Sequence, residues 1–101
     1  MKVVLTAAAR LDIAEIGDWI AQDSPRRAVS FIDEIDRACD GLADMPQRFQ
    51  LVPGHEDTGI RRRPHGNYLI FYRIKGERMV EILHVLHGAR DYEKILFPES
   101  D

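Results

Sequence analysis

A chain of 101 residues that is 45% hydrophobic and 31% charged carries apolar matter for one core and too little for two, so a single domain over 1–101 is expected. No stretch approaches the roughly 20 apolar residues that cross a bilayer, and the chain runs from one lysine into a capped helix without the hydrophobic block of a secretory signal, so a cytoplasmic protein is expected. The net charge of −3 conceals an asymmetry: residues 1–50 hold 6 basic against 9 acidic groups, whereas residues 58–90 hold seven basic groups (Arg61, Arg62, Arg63, Arg73, Lys75, Arg78, Arg90) against Glu77 and Glu81, a basic face that suits nucleic acid, an acidic partner or mere solubility.

Lys2 to Leu5 reads as a short β-branched strand ending at Thr6, whose hydroxyl is placed to cap the helix that follows. From residue 7 to about 22, Ala9, Ile13, Ile16 and Ile20 recur at helical spacing, while Asp12, Glu15 and Asp18 mark a wetter side. Ser24 and Pro25 then supply an N-cap and a first-turn proline, which predicts a second helix. Its apolar stripe is Ala28, Phe31, Ile32, Ile35, Ala38, Cys39, Leu42 and Met45, and Pro46 stops it. So short a connection predicts an antiparallel helical hairpin. Cys39 is the sole cysteine, which excludes an internal disulfide, and its place on the stripe reads as a buried thiol rather than a nucleophile.

Residues 47–59 contain Pro53, Gly54 and Gly59 without periodicity and read as a loop. Three strands of a meander follow at 60–63, 68–74 and 79–86, with turns at 64–67 and 75–78. On the second strand Tyr68, Ile70, Tyr72 and Ile74 share one face and Leu69, Phe71 and Arg73 the other, so it belongs in the middle of a sheet. The order of elements predicts an α+β domain in which the hairpin packs across one face of a mainly antiparallel sheet.

In that order, the chain resembles the RelE/ParE toxin superfamily from Val4 to about Leu96. The likeness is carried by Leu5-Thr6, Ala9 and Asp12-Ile13, by Ser24-Pro25, Ala28 and Phe31-Ile32, by Leu42 and Pro46, by Ile60-Arg61, by the strand from Tyr68 to Ile74, and by the run from Ile82 to Asp91. It implies the family's microbial-RNase-like fold with a curved antiparallel sheet. It also implies a partner, a cognate ParD-like antitoxin whose C-terminal part wraps the toxin and whose N-terminal part binds operator DNA, so that DNA is met only through the antitoxin. No cofactor is expected.

Two activities occur on this scaffold. RelE-like members cut mRNA on the ribosome, which needs a base for the 2′-hydroxyl, cations for the phosphate and an acid for the leaving oxygen. Arg61, Arg63, Arg73, Arg90, Tyr92 and the four histidines are the available parts, but Leu69 stands where RNA-cutting members carry an arginine. The lysine-rich strand before it is replaced by Ile60-Arg61-Arg62-Arg63, and arginine is a poor proton-transfer group. The ending His84-Val85-Leu86-His87-Gly88-Ala89-Arg90-Asp91 resembles that of ParE-like members, which implies inhibition of DNA gyrase by a binding module rather than an enzyme. The expected target-contacting residues are Arg61, Arg63, Arg73 and Arg90, then Tyr72 and Tyr92.

Plainer roles stand beside these. Arg61 and Arg63 share a strand face with Arg62 opposite, so at least one arginine is expected merely to solvate an edge. Tyr68, Phe71 and Tyr72 fit a core or interface as well as base stacking. His84 and His87 face opposite sides of a strand and make a metal site improbable; His84 is expected as a packed structural histidine and His87 as a surface group. Arg90 and Asp91 fit a local ion pair as well as a functional site, and Trp19 fits either a packed or an exposed position.

Overall fold

Two hydroxyls begin the helices. In the computed structural model, which describes residues 1–98, Thr6 Oγ1 accepts from the Ala9 amide at 3.1 Å and donates to the Leu83 carbonyl at 3.1 Å, so the cap of α1 (Ala7–Ala21) also ties it to the sheet. Ser24 Oγ accepts from the Arg27 amide at 3.1 Å and Pro25 opens α2 (Pro25–Asp40). The helices cross at Gly17, where an added Cβ would stand 2.9 Å from Ile32 Cδ1. A larger residue there would require the end of the Ile32 side chain to turn aside. The expected stripe of α2 stops short: the helix ends at Asp40, Gly41–Ala43 tighten into a 3-10 turn, and Met45 takes φ of 50° and is 72% exposed. Gly41 is a weak helix former at that point, and of the stripe beyond it Leu42 stays buried while Met45 does not.

The meander is β2 (Arg61–His65), β3 (Tyr68–Lys75) and β4 (Met79–His87), all antiparallel, and β1 (Lys2–Leu5) adds to β4 in parallel, giving the order β1-β4-β3-β2. The sheet is therefore mixed, because the chain leaves β1 through the hairpin and comes back to it only through the last strand. β3 is interior, as its two apolar faces require. β2 reaches further than expected, with Pro64 and His65 in the strand and the turn confined to Gly66 and Asn67. Proline is tolerated there because β2 has an open edge. Between Phe71 and Tyr72 the register slips, Phe71 facing His84 and Tyr72 facing Ile82, so Leu83 is an extra residue that bends β4.

Each sheet face has its own core. Under the hairpin, Ile13, Phe31, Ile35, Leu42, Ile70, Tyr72, Ile82 and Val85 pack together. On the other face Val52, Ile60, Phe71, Leu86 and Phe97 do so, covered by the loop before β2 and by α3 (Tyr92–Leu96). The loop is tied to the β2 edge by a Val52 amide donating to Ile60 at 2.9 Å and an Arg62 amide donating to Gln50 at 3.0 Å. Asp12 departs from the wet side assigned to it: its carboxylate accepts from the Val85 amide at 2.9 Å and from His84 Nδ1 at 2.8 Å, bolting α1 to β4. No helix among the described residues is long and apolar enough to cross a membrane.

Candidate functional site

The expected site residues go to three separate places. Arg61 and Arg63 pair with Tyr72 and Ile70 and so lie on the hairpin side of β2, with Arg62 on the other, as alternation requires. Arg61 Nη1 donates to the carbonyls of Phe49 at 2.7 Å and Gln47 at 3.2 Å, which fastens the loop after α2 to the strand. Phe49, held there, carries two guanidinium groups over its ring, Arg48 at 5.0 Å and Arg63 at 5.2 Å. Arg73 lies on the opposite sheet face and pairs with Glu81 at 2.9 Å. Arg90, exposed beyond the end of β4, lines a groove with Trp19, Tyr68 and His87.

Tyr72 is not a surface residue. It has no solvent exposure, and its O–H donates to the Pro46 carbonyl at 2.6 Å. Burial pushes the hydroxyl pKa upward, while Arg61, the Phe49 backbone, Arg63 and Arg48 pull against it. The side chain anchors the loop and presents no surface to solvent. Tyr92 is partly buried: its ring packs on Phe71 with centroids 4.9 Å apart and its hydroxyl accepts from Arg62 Nη1 at 3.1 Å.

The histidines are engaged one by one. His55 meets Glu93 at 3.2 Å and stacks on Phe97 at 3.8 Å, His65 meets Glu34 at 3.1 Å, and His84 meets Asp12. His87 Nδ1 accepts from the Ala89 amide at 3.0 Å, and its ring stands edge-on to Tyr68. Glu34 also accepts from Arg27, and those two hydrogen bonds, Arg27 first, hold its carboxyl below the usual carboxylate range. Cys39 is fully buried, and desolvation, with Asp36 and Asp40 adding to it, pushes its thiol up to about 12, which makes it inert as a nucleophile. Trp19 is 69% exposed on α1, which resolves its position toward solvent.

Two residues of note were not anticipated, Arg48 and Phe49. Their signal was an aromatic beside an arginine in a loop bounded by Pro46 and Pro53, where a large apolar side chain has no periodic face to join.

A family model described as the ParE toxin of type II toxin–antitoxin systems, parDE, matches residues 3–92. Toxin ParE1 of Mycobacterium tuberculosis, in each of two strains, is 27% identical over 96 residues, covering 94% of this chain and 97% of its own. The fold is similar to that in the chromosomal ParDE system from P. aeruginosa, with a TM-score of 0.73 at 20% identity over 86% of this chain and 95% of that one. The toxin–antitoxin complex RelBE2 from Mycobacterium tuberculosis gives a TM-score of 0.61 at 26% identity over 85% and 95%. The family match spans nearly every described element, from the capped hairpin through the meander to Tyr92, and the chain belongs to the ParE toxin family of type II toxin–antitoxin systems.

Proposed function

We propose that this toxin acts in the cytoplasm by binding DNA gyrase and holding it on cleaved DNA, without chemistry of its own, and that a ParD-like antitoxin encoded beside it neutralises it. The observation that carries the reading is the separation of cations from proton-transfer groups. Arg48, Arg61 and Arg63 gather near Tyr72, but that hydroxyl is buried, raised in pKa and spent on Pro46. Each histidine is engaged with a carboxylate or a backbone amide away from the cluster. Cleavage of RNA needs a base and an acid within hydrogen-bond reach of the phosphate that the cations clamp, and that arrangement supports binding over cutting.

For the target surface we favour the end where Arg90 stands beside Trp19, Tyr68 and His87, because tryptophan, tyrosine and arginine around a groove are the residue types that dominate protein interfaces. Arg73, exposed on the far face, comes next. Arg61 and Tyr92 act as supports, since their polar groups are bound within the fold.

Purified toxin is to be tested with gyrase, supercoiled DNA and ATP, and in parallel with ribosomes translating labelled mRNA. The expected result is blocked supercoiling with accumulated cleaved DNA. Codon-positioned mRNA cuts with supercoiling untouched would replace this reading by the ribosome-directed one, and inactivity in both assays with normal growth on expression would make the chain a non-toxic interaction module. Arg90→Ala should remove growth arrest while leaving the melting temperature unchanged; unchanged toxicity would take Arg90 out of the surface.

A further inference from the structure

At the end of β3 remote from Arg90, an apolar trough meets a cluster of arginines. Met45 and Ile74 line the trough, Pro46 and Gln47 form its side, and Arg48 stands on the wall that it shares with a second hollow containing Phe49 and Arg63. Met45, at 72% exposure, presents a long flexible thioether to the opening. Three guanidinium groups converge here, since Arg48 and Arg63 lie over Phe49, Arg61 fixes the backbone under it, and all three act on the Tyr72 hydroxyl. Among the described residues none of the three pairs with a carboxylate, whereas Arg27, Arg37 and Arg73 each do. The acids that line the two hollows are Asp44, beside Arg48 and Arg63, and Glu77, in the trough.

We infer that this shelf is where the antitoxin docks, through a segment that places apolar side chains along the trough and carboxylates over Arg48 and Arg63. The inference rests on the toxin–antitoxin reading above and adds the surface to it. Charge complementarity selects the occupant: unneutralised cations ask for an anion, and the adjoining Met45 and Ile74 ask for apolar side chains, which a nucleic acid backbone does not offer. An acidic amphipathic segment supplies both. Arginines already placed by Phe49 and by the tied loop lose little freedom on binding, so the shelf is preorganised. Tyr68 and Ile74 are near opposite ends of β3, about 20 Å apart at the usual rise per residue, so the antitoxin site and the proposed gyrase surface are separate.

The probe is a labelled synthetic peptide with leucines along one side and glutamates at one end, with a twin carrying lysines for glutamates, titrated into the full-length purified toxin. Labelled RNA and duplex DNA form two further arms. The glutamate peptide should bind, with affinity falling as salt rises, and the lysine twin should not. Arg48→Glu should weaken binding roughly tenfold, the worth of one reversed charge in a partly exposed contact. Met45→Glu, which places a carboxylate in the trough, should also weaken it, while Arg26→Glu, an exposed change on α2, should not. The antitoxin encoded beside the chain should displace the peptide. Equal losses in Arg26→Glu and Arg48→Glu, tighter binding of RNA or DNA than of peptide, or failure of the antitoxin to compete would each overturn the assignment. Melting curves identify any variant that has not folded, and Arg48→Glu and Met45→Glu alter different walls of the same trough. Peptide binding is read without gyrase, so a toxin that leaves supercoiling untouched defeats the gyrase reading and leaves this result standing.

Discussion

The two faces of the sheet are closed by unlike means. Beneath the hairpin, twelve buried residues drawn from both helices, the 3-10 turn and two strands form one apolar cluster, whose helices are capped by Thr6 and Ser24 and bolted on by Asp12. On the other face five buried residues form a smaller cluster under a loop and the five-residue α3, whose attachment depends on single polar contacts, Arg62 to Tyr92 and His55 to Glu93, and on the stacking of His55 against Phe97. Apolar burial scales with area and hydrogen bonds at a partly wet surface contribute little net. The hairpin face is therefore expected to carry the global stability, and the α3 face to open first.

The comparison breaks most readily at Ile35, which has no solvent exposure and lies at the centre of the hairpin cluster. Ile35→Ala should cost about 4 kcal/mol, from lost transfer energy plus the cavity left behind, in urea unfolding followed by circular dichroism. Phe97→Ala, on the other face, should cost about 2 kcal/mol despite removing a larger side chain, because Phe97 caps the end of a short helix and is the least buried member of its cluster. Equal costs, or a larger one for Phe97, would end the distinction between the faces. Asp12→Ala comes beside Phe97 in size: it leaves the Val85 amide without its acceptor and should cost about 2 kcal/mol in the same assay. A cost below about 0.5 kcal/mol would mean that water replaces the carboxylate there.

What was legible in the sequence was local or periodic. Thr6 and Ser24 announced both helix starts because a cap bonds only three residues on, and the alternation from Tyr68 to Ile74 placed β3 between two apolar layers. What escaped depended on contacts between distant residues. Asp12 sat on a polar stripe, yet its partners lie 72 and 73 positions away. Tyr72 was correctly given a face, but alternation does not say whether a hydroxyl reaches water or, as here, a carbonyl 26 positions back. The Arg48–Phe49–Arg63 shelf forms only once the loop has folded against β2, so no spacing could declare it. Of the arginines that composition grouped as one basic face, pleating sends Arg61 and Arg63 to one side of the sheet and Arg73 to the other.

The clasp on the α3 face gives a finer test. Tyr92→Phe keeps the packing on Phe71 and removes only the acceptor for Arg62, so the expected cost is about 1 kcal/mol. Hydrogen exchange should show faster exchange confined to the amides of α3, such as that of Phe97, which donates to Glu93 at 2.8 Å, with β3 and β4 unaffected. Acceleration spread evenly through the sheet would show that α3 unfolds with the rest and is no separate unit.

The smallest effect concerns a tie at the rim of the hairpin face, where Glu34 of α2 accepts from Arg27 and from His65 at the end of β2. Both hydrogen bonds favour the carboxylate, so its pKa in the folded protein lies below the ordinary 4.5. A carboxyl whose pKa falls on folding stabilises the fold above its unfolded value and loses that contribution as pH drops through the folded value. The Glu34→Gln variant lacks the contribution at every pH. Its melting temperature should therefore sit slightly below that of the parent near neutrality and converge with it in acid, the gap closing below about pH 4.5. Exposed pairs are screened, so added salt should narrow the neutral-pH gap as well. A gap that persists unchanged into acid would place the cost of the substitution in packing rather than in charge, and would leave the rim of the hairpin face held, like its centre, by apolar contact alone.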